Sequence, residues 1–497
     1  ATAAPHSGVG APSARRRPRH WPAVALAAVL LAAPVLWVDI VPSTDVPQLT
    51  AQLRLLADPG AVGAAELAVQ WWHPNKLGYL PLAAGWWTVG PGRAGAVGLA
   101  LVVLLWVVTF FEVARRRSLE PGHAALGAAL VFNVAFHWGF VNFLIGLPLF
   151  LLWVDRLDAP PGPDRDGAGG RPALDGAIWL GLGASLYAAH VLWLAAAVGV
   201  LVLHSIRRRA FADLAHRSLW LAPVAAAVVA WYVFFRETGV DQRLFWGQPP
   251  WWRLHPGWLV ESLFGGLRGP AEPVLAAALG AWVGLGFLQG FLHRRRRAAT
   301  EPDPARRRGL LEAAALLLAL AFLLPAVYHH TILFAARWLA PAVALLVLAA
   351  PAPRLSPPLV RAVPWVLTAS LSASLLAGWL GFQDELEGFD ESLQVVGRLQ
   401  ADLESAGGGP TPRLLGLDFV RESERLDGYP YHHLPALSQV RHGVALNRSF
   451  ADDPASLVVF DPLPHEYPWT DRLDWKPESL RRSDLDHFDL LLAHAPP

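Results

Sequence analysis

Asp45 is the residue whose type and position are best suited to chemistry. It stands in Val38-Asp39-Ile40-Val41-Pro42-Ser43-Thr44-Asp45-Val46-Pro47-Gln48-Leu49, directly after a long apolar run. A carboxylate at the mouth of a membrane helix, beside an aromatic-rich loop, can accept a hydroxyl proton at a boundary between water and lipid. Asp39 is the second candidate base and lies at the edge of the run, where a charge is costlier to keep. The competing role for Asp45 is an Asx-type turn beside proline. Arg337, in Ala335-Ala336-Arg337-Trp338-Leu339-Ala340-Pro341, is the candidate phosphate ligand, because a guanidinium fork matches phosphate oxygens bidentately. Its competing role is to snorkel to lipid headgroups. His329 and His330, just upstream, either add donors to that phosphate or stay solvated at the interface.

Sugar-facing candidates come from two aromatic loops. His73 and Trp72 lie in Trp71-Trp72-His73-Pro74-Asn75-Lys76. Trp246, Trp251 and Trp252 lie in Phe245-Trp246-Gly247-Gln248-Pro249-Pro250-Trp251-Trp252. The second loop has the stacking surface and polar tips of carbohydrate sites and also suits an interfacial anchor, and for His73 the anchor is the favoured role. His190 and His137 mark turns between apolar runs; each can be a polar cap, and His190 is a further glycan contact candidate. The chain has no cysteine, which excludes a disulfide framework, a thiolate nucleophile and a Cys-ligated metal. A divalent metal is compatible with this chemistry, but no residue pattern calls for one, so no cofactor or metal ligand is assigned.

These residues need a scaffold that gathers them at one surface, and the composition says what kind. Hydrophobic residues make up 54% of the chain and charged residues 16%, with the apolar residues in runs near membrane-span length. Arginines cluster between the runs at 15–17, 115–117, 207–209, 294–297 and 306–308, the pattern of cytoplasmic loops. No basic domain or aromatic-interleaved motif surrounds them, so nucleic-acid binding is not expected. The Ala, Arg, Gly, Pro and Leu bias points to a bacterial source, and the expected location is the bacterial inner membrane.

Pairing apolar runs with arginine blocks gives an α-helical polytopic membrane protein of about eleven spans. Residues 1–20 form a basic cytoplasmic N-terminus, and Trp21–Val41 is a retained first span rather than a cleaved signal. The transmembrane region covers 21–382, with a first outer loop at 42–93 and a Trp-rich outer loop at 236–272. Leu77–Gly90 is too short to cross and is expected at the outer interface. Ala124–His137 with Phe140–Val154, and Gly176–Ala189 with Val191–Ile206, are expected as helix pairs broken near residues 137–139 and at His190. Ile332–Ala350 is expected as a span carrying Arg337. From 383 onward the chain turns polar: a helix with apolar residues at Leu386, Phe389, Leu393, Val396, Leu399 and Leu403 precedes strand-like runs at Arg413–Phe419, Ser456–Asp461 and Phe488–Ala493. This predicts a small α/β domain at 383–497, outside the cell because the span count is odd.

One apolar helix, then a loop opening Ser43-Thr44-Asp45-Val46-Pro47-Gln48, then Leu55-Leu56-Ala57-Asp58-Pro59, is similar to the GT-C class of membrane glycosyltransferases. His137-Trp138-Gly139-Phe140-Val141-Asn142-Phe143 resembles a turn of bacterial members. Ser185–His190, Arg337, Arg413-Leu414-Leu415-Gly416-Leu417, Tyr431-His432-His433-Leu434 and Phe488-Asp489-Leu490-Leu491-Leu492 extend the resemblance along the chain. Related sequences often place histidine where this chain has Leu49. The resemblance implies inverting transfer of a sugar from a polyprenyl-phosphate-linked donor, with Asp45 as base, Arg337 at the phosphate, and membrane lipids as surroundings. The rival functions are a transporter or flippase of lipid-linked glycans, which would favour repeated halves and paired intramembrane charges, and a non-catalytic scaffold presenting 383–497. Reporter fusions test the topology: residues near Arg208 and Arg296 should report from the cytoplasm, and Pro47, Gln248 and Pro497 from outside. A cytoplasmic C-terminal reporter overturns the odd-span arrangement.

Overall fold

The computed structural model describes residues 20–62, 66–158, 172–234, 244–247, 249–292, 305–328, 331–407, 411–461 and 470–495. The N-terminal basic block, the arginines at 294–297, Gln248, His329, His330 and Pro497 lie outside these residues.

Helix α1 (Trp21–Trp37) leads through residues 38–44 to α2 (Val46–Ala57), and strand β1 (Leu67–Val69) precedes α3 (Tyr79–Val89). Helix α3 folds back along the start of α4 (Ala94–Arg117). Small residues permit this: a side chain on Gly85 would meet the Ala94 carbonyl at 2.6 Å, and one on Gly98 would meet Leu82 Cα at 2.8 Å. The first broken pair is α5 (Pro121–Ala129), α6 (Val134–His137) and α7 (Val141–Asp158). Asn133 caps α6 by accepting from the Ala135 N–H at 2.8 Å. The second pair is α8 (Pro172–Ala189) and α9 (Val191–Arg208), with the His190 ring capping α9. The bundle continues with α10 (Phe211–Phe234), β2 (Leu244–Phe245), α11 (Pro256–Leu263), α12 (Ala271–Leu292), α13 (Ala305–Leu323), β3 (Val327–Tyr328), α14 (Leu339–Ala349) and α15 (Pro357–Glu385).

Five helical stretches among the described residues are each long and apolar enough to cross a membrane: Pro91–Arg117, Val191–Arg208, Phe211–Phe234, Ala271–Leu292 and Pro357–Glu385. Trp21–Trp37, Ala173–Ala189 and Ala336–Ala349 are shorter apolar helices. Helix α10 leaves Leu219, Val229, Val233 and Phe234 exposed, an apolar surface whose natural solvent is lipid. The chain is a mostly helical, membrane-embedded protein.

Two buried indoles in the bundle serve backbone carbonyls of α7. Pro148 within α7 has no N–H, so it cannot satisfy the Leu144 carbonyl four residues earlier. The indole N–H of Trp106 on α4 donates to that carbonyl at 2.8 Å, and Trp193 on α9 donates to the Phe143 carbonyl at 2.8 Å. At one end of the bundle, Arg117 bonds Asp155 at 2.9 Å and Asp158 at 3.0 Å, and Arg207 pairs with Glu312. The C-terminal ends of α4, α7 and α9 and the start of α13 therefore share one charged end. Helix α9 runs from His190 at the opposite end to this one.

The C-terminal part comprises α16 (Glu387–Gly407), β4 (Arg413–Asp418), α17 (Ala436–His442), β5 (Ala445–Leu446), β6 (Val458–Phe460), α18 (Thr470–Trp475), α19 (Arg482–Leu485) and β7 (Leu490–His494). Strands β5, β4 and β7 form a parallel sheet. The expected strand at Ser456–Asp461 does not join it. Instead, β6 pairs antiparallel with β1 of the 42–93 segment, Leu67 opposite Phe460 and Val69 opposite Val458.

Helix α2 completes this junction through side-chain amides. Gln48 donates to the Arg448 carbonyl and accepts from the Phe450 N–H, each at 3.1 Å, and Gln52 accepts from the Val458 N–H at 2.7 Å. Buried backbone groups need such partners. Gln48→Leu keeps the bulk and removes both bonds at 448–450, so it should destabilise the junction by ~1–3 kcal/mol per stranded group. The expected result is a lower thermal midpoint in detergent and faster proteolysis within 411–461; wild-type behaviour in both means that the amide does not hold the junction.

Candidate functional site

Asp45 reaches its place through backbone pairing. The Thr44 and Asp45 N–H groups donate to the carbonyls of His137 and Trp138 at 2.9 and 3.2 Å, and the Ser43 hydroxyl donates to the Phe136 carbonyl at 2.7 Å. Gly139 makes the close approach possible: its φ is +79°, and a side chain there would meet the Asp45 nitrogen at 2.8 Å. The Thr44 hydroxyl also donates to the Tyr429 carbonyl at 3.2 Å, bringing in the C-terminal part.

Asp45 sits at the N-cap of α2, yet its side chain makes no capping bond. The turn role is thus not what its carboxylate performs. The His433 Nδ1–H donates to Asp45 Oδ1 at 3.1 Å, across 388 residues of sequence.

Behind His433 lies a compact polar cluster. His432 stacks on His433 with ring centroids 4.3 Å apart, and Trp475 covers the other side of His432 at 4.2 Å. Asp474 Oδ1 is 3.7 Å from His432 Nε2 and 4.0 Å from His433 Nε2, and Asp474 Oδ2 is 3.9 Å from Arg448 Nε. Burial, then the neighbouring His433, Arg421 and Arg448, push the His432 imidazole down to about 2, so it is neutral at physiological pH. Burial and then Asp474 push the Asp418 carboxyl well above the usual carboxylate range. Gln48, Asp418, His432, His433, Arg448 and Asp474 line a small cleft of about 20 Å³. A second, of about 10 Å³, runs along Pro42, Thr44, His137 and Tyr429. The segment bearing Asp45 thus borders both.

Arg337 lies just before α14, in a single 3-10 turn (Ala336–Trp338), rather than inside the span as expected. The chain before it is irregular, with Leu333 at φ +53°, which frees carbonyls. Arg337 donates to the Leu333 carbonyl at 3.3 Å and to the Ile332 carbonyl. Its guanidinium lies over Phe140 at 4.4 Å and Phe143 at 5.2 Å. This buried cation does not snorkel. Phe143, under Arg337, also meets the His190 ring edge-on, and Phe140, under the same guanidinium, follows the Trp138-Gly139 turn that binds the Asp45 N–H. Asp45, Arg337 and His190 are thus linked through the Trp138–Phe143 segment.

The other candidates stand apart. Asp39 has an 80% exposed side chain paired with Arg93. His73 accepts from the Trp231 indole at 3.0 Å, and burial followed by Lys76 lowers its imidazole to about 4, so it works as a neutral anchor for α10. Trp72 beside it is half exposed, and Trp246, Trp251 and Trp252 are exposed. Sequence reasoning missed Asp474 and Asp418 and gave His433 no role. The paired histidines at 432–433 were the one visible signal. Comparison of the chain with protein-family profiles, with curated proteins and with solved structures gives no match.

Proposed function

We propose that this protein is a membrane glycosyltransferase of GT-C type, moving a sugar from a polyprenyl-phosphate donor to an acceptor hydroxyl on the extracytoplasmic side. The observation that carries the proposal is the Asp45 carboxylate, free of helix capping, oriented by His433 and held by the turn whose Phe140 lies under the buried Arg337. The eleven-span arrangement, with 383–497 outside, belongs to the same proposal. It is favoured by the separation of the arginine-rich end of the bundle from the Asp45 end.

In the proposed step the acceptor hydroxyl gives its proton to Asp45 as its oxygen bonds the anomeric carbon. The bond from that carbon to the phosphate oxygen breaks, and the electron pair leaves on the polyprenyl phosphate with inversion. Arg337 is held by rings and carbonyls and has no freedom to chase a ligand, so it supplies a fixed positive field for the growing phosphate charge. The exposed tryptophans at 246, 251 and 252 offer stacking faces for the glycan.

The donor is identified first, by mass spectrometry of polyprenyl-phosphate sugar that co-purifies with the chain. With that donor, Asp45→Asn should lower transfer ~100- to 10,000-fold while leaving donor binding intact. Asp39→Asn should transfer at the wild-type rate, since its partner is a surface arginine; if that variant alone is dead, the base is Asp39. Normal turnover in both removes the transferase proposal and favours a transporter or scaffold. Arg337→Lys keeps charge but loses the planar fork and its ring stacking. Loss of one charged hydrogen bond, ~1.5–3 kcal/mol, predicts ~10- to 100-fold slower transfer at normal expression; an unchanged rate removes Arg337 from the phosphate role.

A further inference from the structure

We propose that His432, His433 and Asp474 form a binding site for one divalent transition metal of the zinc class. The proposal does not depend on the transferase function, because it concerns what the side chains bind. One ligand atom from each of the three residues falls within 4.8 Å of the others. Tetrahedral zinc, with bonds of about 2.0–2.1 Å, holds its ligand atoms roughly 3.4 Å apart. The contacts from Asp474 Oδ1 to the two Nε2 atoms, 3.7 and 4.0 Å, exceed that spacing by a few tenths of an ångström, and the two rings, stacked at 29°, must turn for both lone pairs to meet one ion.

A second observation points to a ligand. The His432 side chain is only 1% exposed, and neither of its ring nitrogens has a hydrogen-bond partner. Two stranded nitrogens in a buried ring are costly, and a metal on Nε2 would satisfy the one that faces Asp474. His433 is arranged differently and in a complementary way. Its Nδ1 is committed to Asp45, which leaves Nε2 toward Asp474. A carboxylate on one nitrogen and a metal on the other is the usual second-shell pattern around metal-bound histidine. Arg448 approaches the other oxygen of Asp474, at 3.9 Å, so Oδ1 remains for the ion.

Two imidazoles and one carboxylate favour zinc, cobalt or nickel over magnesium or calcium, which prefer oxygen. Three protein ligands leave a fourth position for a water to complete the shell. Metal on Nε2 would also fix the proton of His433 on Nδ1, keeping its hydrogen bond to Asp45 in place.

The test uses the full chain in detergent, with any affinity tag removed, stripped by a chelator and reloaded with Zn²⁺ or Co²⁺. Wild type should retain one metal per chain by elemental analysis, and Co²⁺ should show the visible absorption of a tetrahedral site. Asp474→Asn and His432→Ala should both fall to background. Asp45→Asn should bind the same single ion ~10- to 100-fold more weakly, as loss of an outer-shell partner does. Metal-free Asp474→Asn should melt with metal-free wild type, which separates ligand loss from misfolding and decides the matter should His432→Ala not fold. The proposal is overturned if wild type retains no stoichiometric metal. It is equally overturned if a folded Asp474→Asn retains as much as wild type, the mark of adventitious surface histidines.

Discussion

One face of a twelve-residue helix carries the junction on which the site depends. Asp45, Gln48 and Gln52 are spaced three and then four residues apart, so they project from one side of α2 and its first turn. A helix spends its own backbone groups internally and has none to offer a neighbouring chain. The irregular segment from Arg448 to Val458 is laid against α2 and needs partners for its N–H and C=O groups, and the two glutamine amides provide them. The same periodicity then presents the Asp45 carboxylate to His433. Position of the carboxylate and attachment of the C-terminal part are one arrangement.

The two ends of the bundle handle charge in different ways. At the arginine-rich end, Arg117 with Asp155 and Asp158, and Arg207 with Glu312, neutralise one another and tie helix ends together. Such pairs need only geometry. At the Asp45 end the charges are kept separate: Arg337 rests on phenylalanine faces and backbone carbonyls, and Asp45 meets an imidazole. A buried cation held without a carboxylate in direct contact keeps a field that extends beyond its own partners, whereas a closed ion pair cancels most of its own. That distinction separates a structural network from a reactive neighbourhood.

Local features were legible in the sequence. The breaks near Gly139 and at His190 were visible because an apolar run interrupted by glycine or histidine tells the same story wherever it packs. Asp45 stood out because it follows the first apolar run. The start of α14 was read too early, since Ile332–Ala336 is as apolar in an irregular segment as in a helix. Strand β6 was recognised as a strand but given no partner, and β-pattern alone does not choose between neighbours. The Asp45–His433 contact was illegible for a stronger reason. The motif position that suggested a histidine holds Leu49, and the histidine that meets Asp45 arrives from a distant turn. Asp474 follows His433 by another stretch that no local pattern links to it.

The pairing of β1 with β6 has a consequence for the time at which the protein becomes whole. The chain separating Asp45 from His433 is 388 residues long, and at synthesis rates of about 5–20 residues per second it takes roughly 20–80 s to make. Throughout that interval the 42–93 segment is already made and has neither its strand partner nor the covering for its glutamines. The neighbourhood around Asp45 therefore closes as a late event in the protein's own birth, and a chain that stops short carries a carboxylate with no imidazole to aim it.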